Sequence, residues 1–170
     1  MGDITVKFRT IAELVEIAES EEMLISEVMI QAEMEATGKS REEIFNEMSS
    51  HLDVMEEAVK RGLSEDIRSR SGLTGGNARK IQQYLESDRP LLSGRYVLEA
   101  VARATATSEV NAAMGTIVAT PTAGACGILP GCIFTAAERL NSDREAMVRG
   151  LFVAGAVGFV IANNAFIPGL

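Results

Sequence analysis

The chain has 170 residues, 46% of them hydrophobic and 24% charged, with two tyrosines, no tryptophan and a net charge of −8. That length can bury a real core in one ordinary domain or two small ones, and the acidic balance argues against nucleic acid, which demands a basic surface. Abundant Ala, Glu and Met point to helix rather than sheet. The acid is concentrated early: residues 1–70 carry 17 acidic and 8 basic side chains, residues 71–170 carry 7 and 8. The split predicts an acidic helical region over 1–70 and an apolar, Gly-rich region over 71–170, read as one continuous domain.

Thr10 followed by Glu13 is a capping box, opening a helix through Ile11, Leu14, Val15 and Ala18. Ser20 is placed to cap a second helix, with Met23, Leu24, Val28 and Met34 as its apolar face and an end near Gly38. Ser40 and Glu43 make another capping box. From there Ile44, Met48, Leu52, Met55 and Val59 recur at helical spacing, up to a stop at Gly62. Gly72, Gly75 and Gly76 interrupt the pattern, a helix resumes from Asn77 to about Ser87, and Pro90 marks a turn. Leu92 to Met114 reads as a helix weakened by Thr105, Thr107 and Ser108. Cys132 to Leu140 fits a further helix, and Asp143 caps another through Met147 and Leu151. Ile4–Phe8 and Gly115–Ala119 are candidate short strands. The predicted fold class is mainly α, with buried Gly/Pro-rich loops.

Gly150 to Leu170 is 21 residues without a charge, long enough to span a membrane. Asn163, Asn164 and Pro168, with no basic or aromatic anchors at the far end, favour a buried helix followed by a polar turn and no membrane. The start, MGDITVKFRTIAELVE, has early acids and no apolar core, so no signal peptide is expected. Two cysteines make no disulfide scaffold, and a reducing cytoplasm with free thiols is the expectation.

Three segments could carry chemistry. Ala119 to Cys132 holds both cysteines and lies in the uncharged run Val110–Ala137. Its prolines and glycines forbid a continuous helix and predict a buried irregular loop. Cys126 is either a small buried hydrophobe or a ligand, and the small residues around it let a cofactor or substrate approach the backbone. Cys132, six residues on, does not make the tight zinc spacing, and His51, the sole histidine, sits on a solvent-facing helix. Ser71–Asn77 is a glycine-rich turn entering a helix, either a plain cap or a cradle for a small carboxylate; it lacks the P-loop pattern, so a nucleotide is not expected. Glu109 is the only charge between Arg103 and Glu138, and is either paired with Arg103 or placed beside a site.

Together SGLTGGNARK, TSEVNAAMG, ATPTAGACGILP and IANNA resemble the α subunit of bacterial iron–sulfur-dependent L-serine dehydratase, over about Gly38 to Ala165. The resemblance implies a helical catalytic domain, a four-iron, four-sulfur cluster with three cysteine ligands, no pyridoxal phosphate, a separate β subunit and assembly as a homo- or hetero-oligomer. Matched to the motif, Cys126 is the first cluster ligand. The two further cysteines of the family's pattern follow the NNA region and are not reached by Leu170. This chain is therefore expected to be a truncated α subunit that does not hold the cluster alone, with Cys132 a packing residue on the next helix.

The implied chemistry is conversion of L-serine to pyruvate and ammonia. An open iron acts as a Lewis acid for departure of the hydroxyl, a base removes the α-proton, and the resulting aminoacrylate tautomerises and is hydrolysed. Ser71, Thr74, Gly75 and Gly76 are expected to cradle the substrate carboxylate, with Asn111 and Thr122 as polar contacts near the cluster. Lys80 is a weak candidate for the base and reads first as a surface lysine. The rival readings are an L-cysteine desulfidase-like lyase, in which sulfide leaves, and a non-catalytic helical docking module.

Overall fold

The computed structural model describes residues 7–87 and 89–164. Among them are seven α-helices, one short 3-10 turn and no strand, in agreement with the mainly α expectation. Contacts divide the chain into two compact units, one built from the chain up to Ser50 and from Arg144 onward, the other from His51–Asp143.

The first unit contains α1 (Ile11–Ser20), α2 (Ile25–Thr37), the opening turns of α3 (Arg41–Ser64) and α7 (Arg144–Asn164). Its helix starts are written locally. The Thr10 hydroxyl accepts the Glu13 amide at 3.2 Å while Glu13 accepts the Thr10 amide at 3.1 Å. Ser40 and Glu43 repeat the exchange at 3.2 and 2.9 Å, so both capping boxes form. Ser20 does not cap α2: it is the last residue of α1, and its hydroxyl donates back to the Ile17 carbonyl. The chain instead enters α2 from Leu24 without a side-chain cap. Gly38 closes α2 at φ 71°, the left-handed position where a side chain would be strained.

Arg41 grips Glu27 of α2 through two hydrogen bonds of 3.0 and 2.6 Å. Helix α7 packs against α2 and buries Val148, Leu151, Phe152, Ala156 and Val160, one face at helical spacing. By length and composition alone α7 is apolar enough to cross a membrane. It is buried on that face only, while Val153, Val157 and Ile161 stay exposed, so the expected buried helix is one-sided. Asn163 and Asn164 do not form a turn; they are its last helical residues, and their amides donate to the Phe159 and Val160 carbonyls. Pro168, and Ile4 to Val6 of the candidate strand, lie outside the described residues.

The second unit contains the rest of α3, α4 (Asn77–Leu85), α5 (Arg95–Ala112), the 3-10 turn (Ala123–Ala125) and α6 (Ile128–Leu140). Helix α5 is its hub, packing on both α4 and α6. Glycines set the spacing. A Cβ added at Gly62 would stand 2.5 Å from the Ala106 backbone, at Gly127 2.1 Å from the Ala104 carbonyl, and at Gly131 2.6 Å from the Ala100 carbonyl. Gly62 is therefore a packing residue inside α3, which runs on to Ser64, and not the expected stop. Likewise α6 begins at Ile128 rather than Cys132. Pro130 falls in its first turn, where amides have no helical partner to lose. Thr107 and Ser108 do not interrupt α5, because their hydroxyls donate to the carbonyls four residues back. Gly115–Ala119 forms no strand and is irregular.

Two glycine-bearing turns on one helix

The candidate site is organised by the C-terminal end of α5. Glu109 and Asn111 lie two residues apart, so their side chains leave the helix roughly 200° from one another. Each holds a different glycine-bearing segment.

Glu109, buried at 6% exposure, accepts the Asn77 amide at 2.7 Å and the Ala78 amide at 3.4 Å, the first two amides of α4. Of the two alternatives, pairing with Arg103 is not made; Arg103 donates to the Thr135 hydroxyl at 2.7 Å and to Glu138. The first two amides of α4 are thus met by a carboxylate of the chain itself, reaching across from α5. A carboxylate here balances the positive end of α4, whose first turn has no acid of its own.

The turn before α4 is tightly wound. Ser69 donates its amide to the Thr74 carbonyl at 2.8 Å and takes the Thr74 amide on its hydroxyl at 3.1 Å. Gly75 has φ 133°, and a Cβ on it would come within 2.1 Å of the Ile67 carbonyl. Gly75 and Gly76 are buried, whereas Ser71 and Thr74 are exposed. The Ser71 hydroxyl is within 3.2 Å of Ser69 and accepts the Leu73 amide at 3.4 Å. Ser69 was not singled out from the sequence, although a serine two residues before a glycine pair's turn can serve its backbone in this way. Lys80 is exposed on α4.

On the other side, Asn111 donates to the Ala123 carbonyl at 2.9 Å. Thr122 caps the 3-10 turn by accepting the Ala125 amide at 3.3 Å. Both polar residues are therefore spent on holding the loop. Its expected burial is realised only at its end: Ala119, Pro121, Ala123 and Gly124 are exposed, and Cys126 and Gly127 are buried. The reason is Gly127, whose contact with the α5 backbone draws the chain inward at that one point. Burial raises the pKa of the Cys126 thiol above its ordinary range. Cys132 lies on α6 as expected, but its side chain is exposed rather than packed, because Gly131 beside it takes the face turned to α5.

Among the described residues no group of three or more His, Cys, Asp or Glu is placed to hold a metal ion. The two thiols do not fit a cluster by themselves: one is buried against α5 and the other faces solvent. Cys126 alone has the character of a single soft ligand, buried where the loop meets α5. A separate cleft of about 370 Å³ is lined by Asp53, Glu57, Arg61, Val110 and Thr116, and includes none of the residues singled out from the sequence.

Comparison with known proteins gives the same direction as the motifs. Residues 20–169 match the family described as serine dehydratase alpha chain. A probable L-serine dehydratase alpha chain of Bacillus subtilis is 56% identical over 95% of this chain and 53% of its own length. The L-serine dehydratase alpha chain of Peptoniphilus asaccharolyticus is 30% identical over 94% of this chain and 54% of its own. An L-serine dehydratase of Streptomyces coelicolor is 32% identical, with 35% of its length covered. The chain thus spans about half the length of these two alpha chains. No solved structure matches it significantly.

Proposed function

The chain belongs to the serine dehydratase alpha-chain family, and from that premise we propose that it serves an L-serine dehydratase which converts L-serine to pyruvate and ammonia. The reading is carried by the 56% identity over 95% of this chain, a span that includes both glycine-bearing turns. The partner is a β chain, in keeping with the alpha-chain names of the relatives, and the setting is a reducing cytoplasm, in keeping with two free thiols.

Cys126 would be one ligand of a four-iron, four-sulfur cluster, as its place in the ATPTAGACGILP motif implies. When bound, that cluster supplies a Lewis acid for departure of the serine hydroxyl. The rest of the reading concerns this chain's own groups. The exposed hydroxyls of Ser71 and Thr74, with the backbone of Gly75 and Gly76, receive the substrate carboxylate. Asn111 and Thr122 hold the loop so that the Cys126 sulfur keeps its place. The thiol, raised by burial, gives up its proton when it takes a metal, so loading depends on pH.

The test is anaerobic purification of the enzyme from its own cells through a tag on this chain. Iron, acid-labile sulfide and co-purifying chains are measured, and pyruvate and sulfide are assayed from L-serine and L-cysteine. The expected result is iron, a second chain, and pyruvate from L-serine; Cys126→Ser loses most of the iron. A Cys126→Ser enzyme with a full cluster and normal serine turnover would remove the ligand assignment. Preferential release of sulfide from L-cysteine would replace the substrate.

A further inference from the structure

We propose that Glu109 is a positioning residue for substrate binding: it sets the turn Ser71–Gly76 by clamping the start of α4 from α5. This rests on the reading of that turn as the carboxylate cradle.

Three observations carry it. First, α4 cannot cap itself. Its preceding residue is Gly76, with φ 74° and no side chain to bond, and Arg79 and Lys80 put further positive charge near its positive end. Second, the needed anion arrives from 31 residues away in sequence: Glu109 takes both amides, Asn77 at 2.7 Å and Ala78 at 3.4 Å, and Ala78 is fully buried. The two oxygens of one carboxylate match two adjacent amides, a charge-assisted arrangement stronger than a neutral cap. Third, the turn has no slack on its other side. Gly75 presses against the Ile67 carbonyl, and Ser69 is bonded to Thr74 through both its amide and its hydroxyl. A turn pinned at both ends presents Ser71 and Thr74 at one fixed offset. Moving Glu109 moves that offset.

Glu109 does not touch the substrate in this account. It is buried and engaged with backbone, so it acts through the turn, and its loss weakens binding more than turnover.

The test compares Glu109→Gln, Glu109→Asp and Thr74→Ala in the anaerobic enzyme, with L-serine as substrate. Amide hydrogen exchange is followed on the same variants of this chain. Glutamine keeps the shape but turns an amide donor toward one of two backbone donors. It is expected to raise KM about tenfold while kcat stays within about twofold, and to speed exchange at Asn77 and Ala78 with α7 unchanged. Aspartate keeps the charge and recovers part of both. If Glu109→Gln leaves exchange at Asn77 and Ala78 slow, or leaves KM unchanged while Thr74→Ala raises it, the positioning role is overturned. If Thr74→Ala and Glu109→Gln both leave KM unchanged although exchange speeds, Glu109 holds α4 but the turn does not bind serine; the proposal then falls together with the cradle. Failure of the wild-type enzyme to turn over L-serine rejects the family-based activity separately.

Discussion

Glycine does opposite things in the two units. Around α5, Gly62, Gly127 and Gly131 stand where a single added carbon would meet the backbone of Ala106, Ala104 and Ala100. On α7, Gly155 and Gly158 have nothing within 4 Å of the same added carbon. The first set lets helices approach until backbone touches backbone. The second leaves open space beside an apolar helix whose Val153, Val157 and Ile161 are exposed. The residue is the same, but one use is a packing requirement and the other a cost in helix propensity. The lesson is that glycine content alone does not locate a site; what the missing side chain makes room for does.

The sharpest way to break the contrast is Gly127→Ala. The new methyl would sit 2.1 Å from the Ala104 carbonyl and 2.8 Å from the Ser108 hydroxyl. Backbone cannot yield as a flexible side chain can, so we expect a loss of about 3 kcal/mol or more of stability. Against a total on the order of 5–15 kcal/mol, that raises the unfolded fraction by roughly two orders of magnitude while leaving the folded state the majority at ambient temperature. Gly62→Ala in α3 should behave alike, since its obstruction is also backbone. Urea unfolding followed by circular dichroism measures both. A loss under about 1 kcal/mol would mean that α5 can shift, and that its neighbours are not held at fixed spacing.

Much of the first unit was legible because its signals are local. Thr10 with Glu13, Ser40 with Glu43, and Gly38 each act within four residues, and each appears where the spacing predicts. Gly62 and Gly131 were misread for the reason the contrast exposes: a glycine that admits a neighbouring helix looks, in sequence, like one that ends its own. The cap of α4 was not legible as Glu109. The bond joins residues 32 apart, and nothing near Asn77 names its partner. Arg103, the nearest charge in sequence and one of the two readings of Glu109, is claimed in space by Thr135 and Glu138. Cys126 and Cys132 look alike in composition and separate only once Gly127 and Gly131 are seen to turn one inward and the other out.

The opposite arm of the contrast predicts a gain. Gly158→Ala, and separately Gly155→Ala, add a methyl into open space within a regular helix. Each should stabilise α7 by roughly 0.5–1 kcal/mol through reduced backbone freedom in the unfolded chain. Slower amide exchange across α7 would register it. A destabilisation would show that this face is covered by another surface in solution, and the comparison with α5 would then lose its open side.

The smallest effect separates the units by pH. In the first, backbone amides of Arg9 and Thr10 hold the Glu13 carboxyl below the usual carboxylate range, Arg41 does so for Glu27, and the Ser40 amide for Glu43. A depressed folded value means that the contribution is present above the usual carboxylate range and is lost as pH falls through the depressed one. In the second, burial raises the Cys126 thiol. Its contribution is therefore present below the ordinary thiol range and is lost as pH rises through the raised value. Acid should accordingly loosen the starts of α1 and α3 first, and alkali the segment around Cys126. Amide exchange at several pH values reads both ends. Glu13→Gln should blunt only the acid response at α1, and Cys126→Ala only the alkaline one; a response that moved together across both units would mean that these groups do not set it.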